Sequence, residues 1–183
     1  YRQKHIQNNK ENENLLILGF STFYLNRTNR SGVIKGGPIG GIKQDGAYKL
    51  DCRFNKKVLI DKVNLISSKK NKIKLYNKDA LEFIASNVSK TRNSFTFFDP
   101  PYYKKGKSLY LNFYSPDDHK ELRDILQVNR NLKWVISYDN VEQIRDLYMN
   151  FNNSEINIPY SLQLKRMVSE FFAFSDNIEL PNN

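Results

Sequence analysis

The run Ser94-Phe95-Thr96-Phe97-Phe98 has the composition of a strand and passes without a spacer into Asp99-Pro100-Pro101-Tyr102. Proline has no N–H to give to a ladder and fixes its own φ, and it holds the residue before it extended. Strand pairing therefore has to stop here. One strand tip then carries a carboxylate, backbone carbonyls without competing N–H groups, and an aromatic ring. In open α/β sheets, ligands bind outside the carboxyl ends of strands. An acceptor-rich tip with a flat wall suits an exocyclic amine on a planar base. An ordinary Pro-Pro turn capped by Asp99 accounts for the same four residues, so the surroundings must decide between the two.

Those surroundings alternate. Leu15 to Leu25 (LLILGFSTFYL) is apolar enough for a buried helix or a strand, and periodicity does not separate them. Asn26 to Gly46 holds Gly32, Gly36, Gly37, Gly40, Gly41 and Gly46 with Pro38, and reads as irregular. Asn55 to Ser68 is an amphipathic helix by pattern, and Ile73 to Tyr76 a short strand. Asp79 opens a helix, and Ser94 to Phe98 is a buried strand. Pro116-Asp117-Asp118 opens a helix with Pro in its first turn and acids at its positive end. Lys133 to Ser137 is a strand, Val141 to about Met149 a helix, and Ile156 to Ile158 and Val168 to Phe174 are strands. This order predicts an α/β fold with a largely parallel sheet.

Charge narrows the partner. The net charge is +10, but residues 1–98 hold 19 Lys and Arg against 7 Asp and Glu, while residues 99–183 hold 10 against 12. Ten basic residues fall between Lys49 and Lys78, against Asp51 and Asp61 alone. A basic half beside a neutral half points to a polyanion such as nucleic acid, or to a Lys-rich surface that serves solubility. A single cysteine, Cys52, excludes a disulfide framework and a cysteine-rich zinc site. His5 and His119 lack acidic or cysteine partners at ligand spacing, so no metal site is expected. No apolar run reaches the length of a membrane helix, and the polar opening is not a secretory signal. Trp134 reads as core. Asp117, Asp118 and Asp139 read as helix starts.

In order along the chain, Leu25-Asn26-Arg27-Thr28, Tyr76-Asn77-Lys78-Asp79-Ala80, Phe97 to Tyr102, Tyr114-Ser115, Trp134 to Asp139 and Glu170-Phe171-Phe172 resemble the Dam-type DNA adenine methyltransferase family. The similarity runs from about Leu15 to Phe174. It implies a Rossmann-like sheet and methyl transfer from S-adenosylmethionine to adenine N6 in duplex DNA. It also implies a cytoplasmic enzyme, with restriction–modification as a setting. The lone Cys52 fits that reducing compartment. The resemblance makes Asp99, Pro100, Pro101 and Tyr102 the catalytic set. A carboxylate and the Pro100 carbonyl would accept the two N6 hydrogens, and Tyr102 would stack on a flipped-out base. Asp79 matches an acidic residue of the cofactor pocket, and a helix N-cap explains it equally well. Asp99 also lies near the cofactor in this family.

DNA contacts are expected from Arg27, Asn29, Arg30, Ser31 and Lys35, since Arg and Asn read base edges and Lys meets phosphate. Lys104 and Lys105 are candidates for the displaced strand. The family often has an aromatic residue and Asn where Arg30-Ser31 stand, and Arg in place of Lys35, so no familiar target sequence carries over. The family's Gly-containing cofactor loop upstream of the Leu-Asn-Arg-Thr segment is not found. The expectation is therefore a sheet incomplete at its N-terminus, belonging to a longer enzyme whose N-terminal part would be its partner. The domains divide as a remnant over 1–25, a basic DNA-recognition insertion over 26–70 and a catalytic α/β core over 71–183. The alternative is a non-catalytic nucleic-acid-binding remnant.

Overall fold

The computed structural model describes residues 14–91, 93–104, 106, 113–160 and 166–178. His5 and Lys105 lie outside them. The chain forms two compact units that divide between Leu75 and Tyr76.

In the first unit the apolar stretch resolves as a helix, α1 (Leu15–Thr28), capped by the Asn14 side chain accepting from the Leu16 N–H. Fourteen residues suit four turns of helix better than a strand. It is not the buried element its composition suggests: only Ser21, Leu25 and Thr28 are buried, and Leu15 and Leu16 are 82% and 77% exposed. Phe54 packs edge-on against Phe23 and Tyr24 of α1. The expected irregular region holds a 3₁₀ turn, Arg30–Gly32, and an isolated bridge between Asn29 and Pro38. Gly40 is needed for its turn: its φ is +83°, and a Cβ there would lie 2.5 Å from the Tyr48 carbonyl oxygen.

Helix α2 (Lys56–Ser68) forms as its pattern predicts, with Asn55 as its cap, but buries none of its residues. Ile73 to Tyr76 is not a strand. Leu75 is 94% exposed, so the alternation of Lys and apolar residues buries no face and meets no ladder.

The second unit is an α/β layer built on α3 (Ala80–Ser86), β1 (Phe95–Phe98), α4 (Pro116–Val128), β2 (Lys133–Asp139), α5 (Glu142–Leu147), β3 (Asn152–Tyr160) and β4 (Arg166–Phe174). The sheet order is β1-β2-β4-β3. Only β1 and β2 are parallel, with Phe98 opposite Ile136; β2 with β4 and β4 with β3 are antiparallel. The expectation of a largely parallel sheet is therefore corrected. A parallel pair needs a crossover, which α4 supplies between β1 and β2. Five residues between β3 and β4 allow only a hairpin.

Strand β2 is central, and its alternation puts Trp134, Ile136 and Tyr138 on the core face at 1% exposure or less. Ile84, Leu122, Leu126, Ile144, Tyr148, Phe171 and Ala173 complete that core, so Trp134 is core as predicted. Strand β1 is less buried than its composition implies. It pairs only with β2 among the described residues, and Phe95 and Phe97 are 60% and 55% exposed.

The start of α4 forms a full capping box. Ser115 Oγ accepts from the Asp118 N–H, and the Asp118 carboxylate accepts from the Ser115 N–H. These bonds hold the Asp118 carboxyl below the usual range. Ser115→Ala is expected to lower the stability of this unit by about 1 kcal/mol. Urea unfolding followed by the fluorescence of Trp134, the only tryptophan, measures it. No helix among the described residues is long and apolar enough to cross a membrane.

Candidate active site

Strands β1 and β2 run side by side to their carboxyl ends, and the Asp-Pro-Pro-Tyr sequence leaves the sheet there. Asp99 is exposed, Pro100 buried, and Pro101 and Tyr102 partly buried. Among the described residues the Asp99 carboxylate has no hydrogen-bond partner.

The segment after the motif is tightly held. Asp139, the last residue of β2, accepts from two consecutive backbone N–H groups, Tyr103 through Oδ1 at 2.8 Å and Lys104 through Oδ2 at 3.0 Å. The Gly106 N–H donates back to the Tyr102 carbonyl at 2.8 Å. The Tyr102 hydroxyl donates to Glu170 Oε1 at 3.1 Å, and Glu170 on β4 stands opposite Asp139 in register. Asp139 is therefore not a helix start but a clamp on the motif loop. Sequence reasoning missed both carboxylates. The signals were a polar residue at the tip of the strand next to the motif strand, and a lone acid inside the apolar run from Met167 to Phe174.

An aromatic cluster backs this loop. Tyr103, Tyr114 and Tyr138 surround the His119 ring with centroid separations of 5.1, 5.3 and 5.4 Å. His119 is 1% exposed, shares a 2.9 Å hydrogen bond between Nδ1 and the Tyr138 hydroxyl, and leaves Nε2 buried without a partner among the described residues. Burial pushes its pKa below the ordinary 6.5, with Asp118 and Asp139 opposing more weakly. Burial likewise pushes the Tyr138 and Tyr148 hydroxyls well up. Burial raises Tyr114 too, aided by the negative charges of Asp79 and Asp118.

A lowered histidine pKa makes the fold acid-sensitive. As pH falls through 6.5 the unfolded chain gains a proton that folded His119 refuses, and stability drops until the folded pKa is reached. His119→Asn keeps a polar group opposite Tyr138 and cannot titrate. The fall in urea midpoint between about pH 7.5 and 5.5 is expected to be smaller in the variant than in the parent.

Asp79 caps α3: its Oδ1 accepts from the Leu81 and Glu82 N–H groups at 2.9 and 3.3 Å. Neither bond uses Oδ2, and Asp79 lies near enough to Tyr114 to raise its pKa. The cap half of its dual reading is thus observed.

In the first unit the expected DNA-contact residues divide. Arg27 donates through Nε and Nη2 to the Arg53 carbonyl, both at 3.1 Å. Asn29 is 3% exposed and spends its amide on the Val33 and Ile34 carbonyls. The Arg53 guanidinium in turn donates to the Asn29 carbonyl. In the chain by itself these side chains brace the loop. Arg30, Ser31 and Lys35 are exposed, with Ser31 at φ +56°. Lys104, exposed beside the motif in the second unit, has its backbone held by Asp139 and its ammonium without a partner among the described residues.

Compared with known proteins, residues 1–162 match the family described as D12 class N6 adenine-specific DNA methyltransferase. No curated protein matches the chain.

Proposed function

Since the chain belongs to the D12 class N6 adenine-specific DNA methyltransferase family, we propose that it transfers a methyl group from S-adenosylmethionine to N6 of an adenine flipped out of duplex DNA, using the tip of β1. The observation that carries this reading is the exposed carboxylate of Asp99, without a partner among the described residues, ahead of a segment held from β2 and β4.

Adenine N6 is a poor nucleophile because its lone pair is delocalised into the ring. Asp99 and the Pro100 carbonyl accept the two N6 hydrogens and localise that pair as attack begins. They stabilise the positive charge that develops on nitrogen, and Asp99 is the acceptor nearest to the proton that N6 must then lose. Pro100 and Pro101 present no N–H that would compete for the base. Tyr102, its hydroxyl tied at the far end, offers its ring face to the extruded base.

The donor set of the second unit fits the methyl donor. Asp79 Oδ2 and the Asp99 carboxylate, both without partners among the described residues, are acceptors for its hydroxyl and ammonium groups. Once bound, S-adenosylmethionine supplies an electrophilic methyl on a positively charged sulfur, so no metal or covalent protein intermediate is required.

Duplex DNA is met by Arg30, Ser31 and Lys35 on the loop that Arg27 and Asn29 brace, and by Lys104 and Lys105 after the motif. The substrate sets the enzyme in the compartment that holds the DNA, the cytoplasm of a cell without a nucleus, with restriction–modification as one setting.

Labelled-methyl transfer to mixed-sequence duplex DNA, followed by nuclease digestion, is expected to yield N6-methyladenine. Single-stranded RNA and protein are expected to stay unlabelled. Salt-dependent DNA binding with neither transfer nor cofactor binding would overturn the reading in favour of a non-catalytic binding module.

A further inference from the structure

We infer that Asp139 and Glu170 are positioning residues for the reaction, holding the Asp99–Tyr102 segment in its working geometry from the two strands beyond β1. This rests on the methyltransferase reading above. Stability alone does not favour the arrangement. Asp139 and Glu170 stand directly opposite one another across an antiparallel pair. Like charges so placed repel.

Each is offset by donors from the motif loop. Asp139 spends one oxygen on the Tyr103 N–H and the other on the Lys104 N–H. Glu170 takes the Tyr102 hydroxyl. The loop is thus fixed at two kinds of point. Asp139 pins the backbone immediately after Tyr102, and Glu170 pins the outer end of the Tyr102 ring. Neither is bonded to Asp99, so both act through the segment rather than on the base.

The chemistry of the two clamps differs. Asp139 holds its two N–H donors on two different oxygens, and asparagine has only one oxygen to offer. The NH₂ of an asparagine in this place would face a donor. Among the described residues Glu170 receives a single hydroxyl, a bond that the Oε1 of glutamine also accepts. Asp139→Asn is therefore disruptive and Glu170→Gln conservative. A misplacement of about 1 Å in a reacting group costs on the order of 10²-fold in rate.

The full chain carrying Asp139→Asn, Glu170→Gln, Glu170→Ala, Tyr102→Phe, or the last two together tests this. The readouts are amide hydrogen exchange at Tyr103 and Lys104 without DNA, and kcat and KM for methyl transfer. Asp139→Asn is expected to speed exchange at those two amides at least about tenfold and to lower kcat by about 10- to 100-fold, with KM for DNA little changed. Glu170→Gln is expected to keep most of kcat. Glu170→Ala and Tyr102→Phe are expected to lower kcat to similar extents, and the double variant no further, because both delete one bond.

Unchanged exchange in Asp139→Asn, or additive losses in the double variant, would overturn the inference. If the parent chain transfers no methyl, the functional reading fails while the exchange result still decides the Asp139 clamp.

Discussion

Asp99→Ala is expected to lower methyl transfer to adenine by about 10²- to 10³-fold, as when one preorganised partner of a developing charge is removed. The structure makes this a clean experiment. The Asp99 carboxylate has no partner among the described residues and is exposed, so its removal breaks no bond to them and opens no cavity. Unfolding free energy should stay within about 0.5 kcal/mol of the parent's. Asp99→Asn keeps an oxygen that accepts one N6 hydrogen but loses the charge, so its loss should be smaller than that of Asp99→Ala. Initial rates with labelled methyl donor on duplex DNA, at equal bound DNA, give the result. Full rates in either variant would remove Asp99 from the chemistry.

The largest effect on stability is expected in the core of the same layer. Trp134 is 1% exposed on the central strand and meets Phe151 edge-on at 5.3 Å. Its backbone N–H donates to Ser175 Oγ, and its carbonyl accepts from the Ser175 N–H. Trp134→Ala leaves these backbone bonds and empties a large core volume, which costs about 3–5 kcal/mol. That is a large part of the stability of a unit this size. Phe97→Ala, on the open edge of β1 at 55% exposure, should cost about 1 kcal/mol. Urea titrations followed by circular dichroism separate the two. Equal costs would mean that Trp134 is not the core residue its burial makes it.

Much of this was legible in the chain. The helices at Asp79 and Pro116 announced themselves through residues at their starts, which act locally and need no partner, and the helix over Asn55 to Ser68 through its amphipathic pattern. The Asp-Pro-Pro-Tyr tip was legible because two consecutive prolines remove two ladder donors at the end of one short strand. Sheet direction was not. Strands β3 and β4 have ordinary strand composition, and their antiparallel order depends on pairing partners that no local pattern names. The false strand at Ile73 to Tyr76 fails for the same reason, having strand chemistry and no neighbour.

At the site, the residues proposed to meet ligand were readable by type, while those that aim them were not. Asp139 has the same residue type as a helix cap, and only the β1–β2 register turns it into a clamp. Asn29 and Arg27 look like base readers until the fold brings carbonyls within their reach.

The clamp also imposes an order of assembly on synthesis. A nascent chain emerges N-terminus first. Asp139 lies 36 residues beyond the Tyr103 amide it holds, and Glu170 lies 68 residues beyond Tyr102. Strand β4 is the last of the described strands to leave the ribosome, yet it sits between β2 and β3, and β3 has no other neighbour among them. The growing chain therefore carries the Asp99–Tyr102 segment without its full pair of clamping carboxylates until Glu170 has been made. The clamp is complete only with β4, so a polypeptide released before it would display the motif without the Tyr102–Glu170 bond.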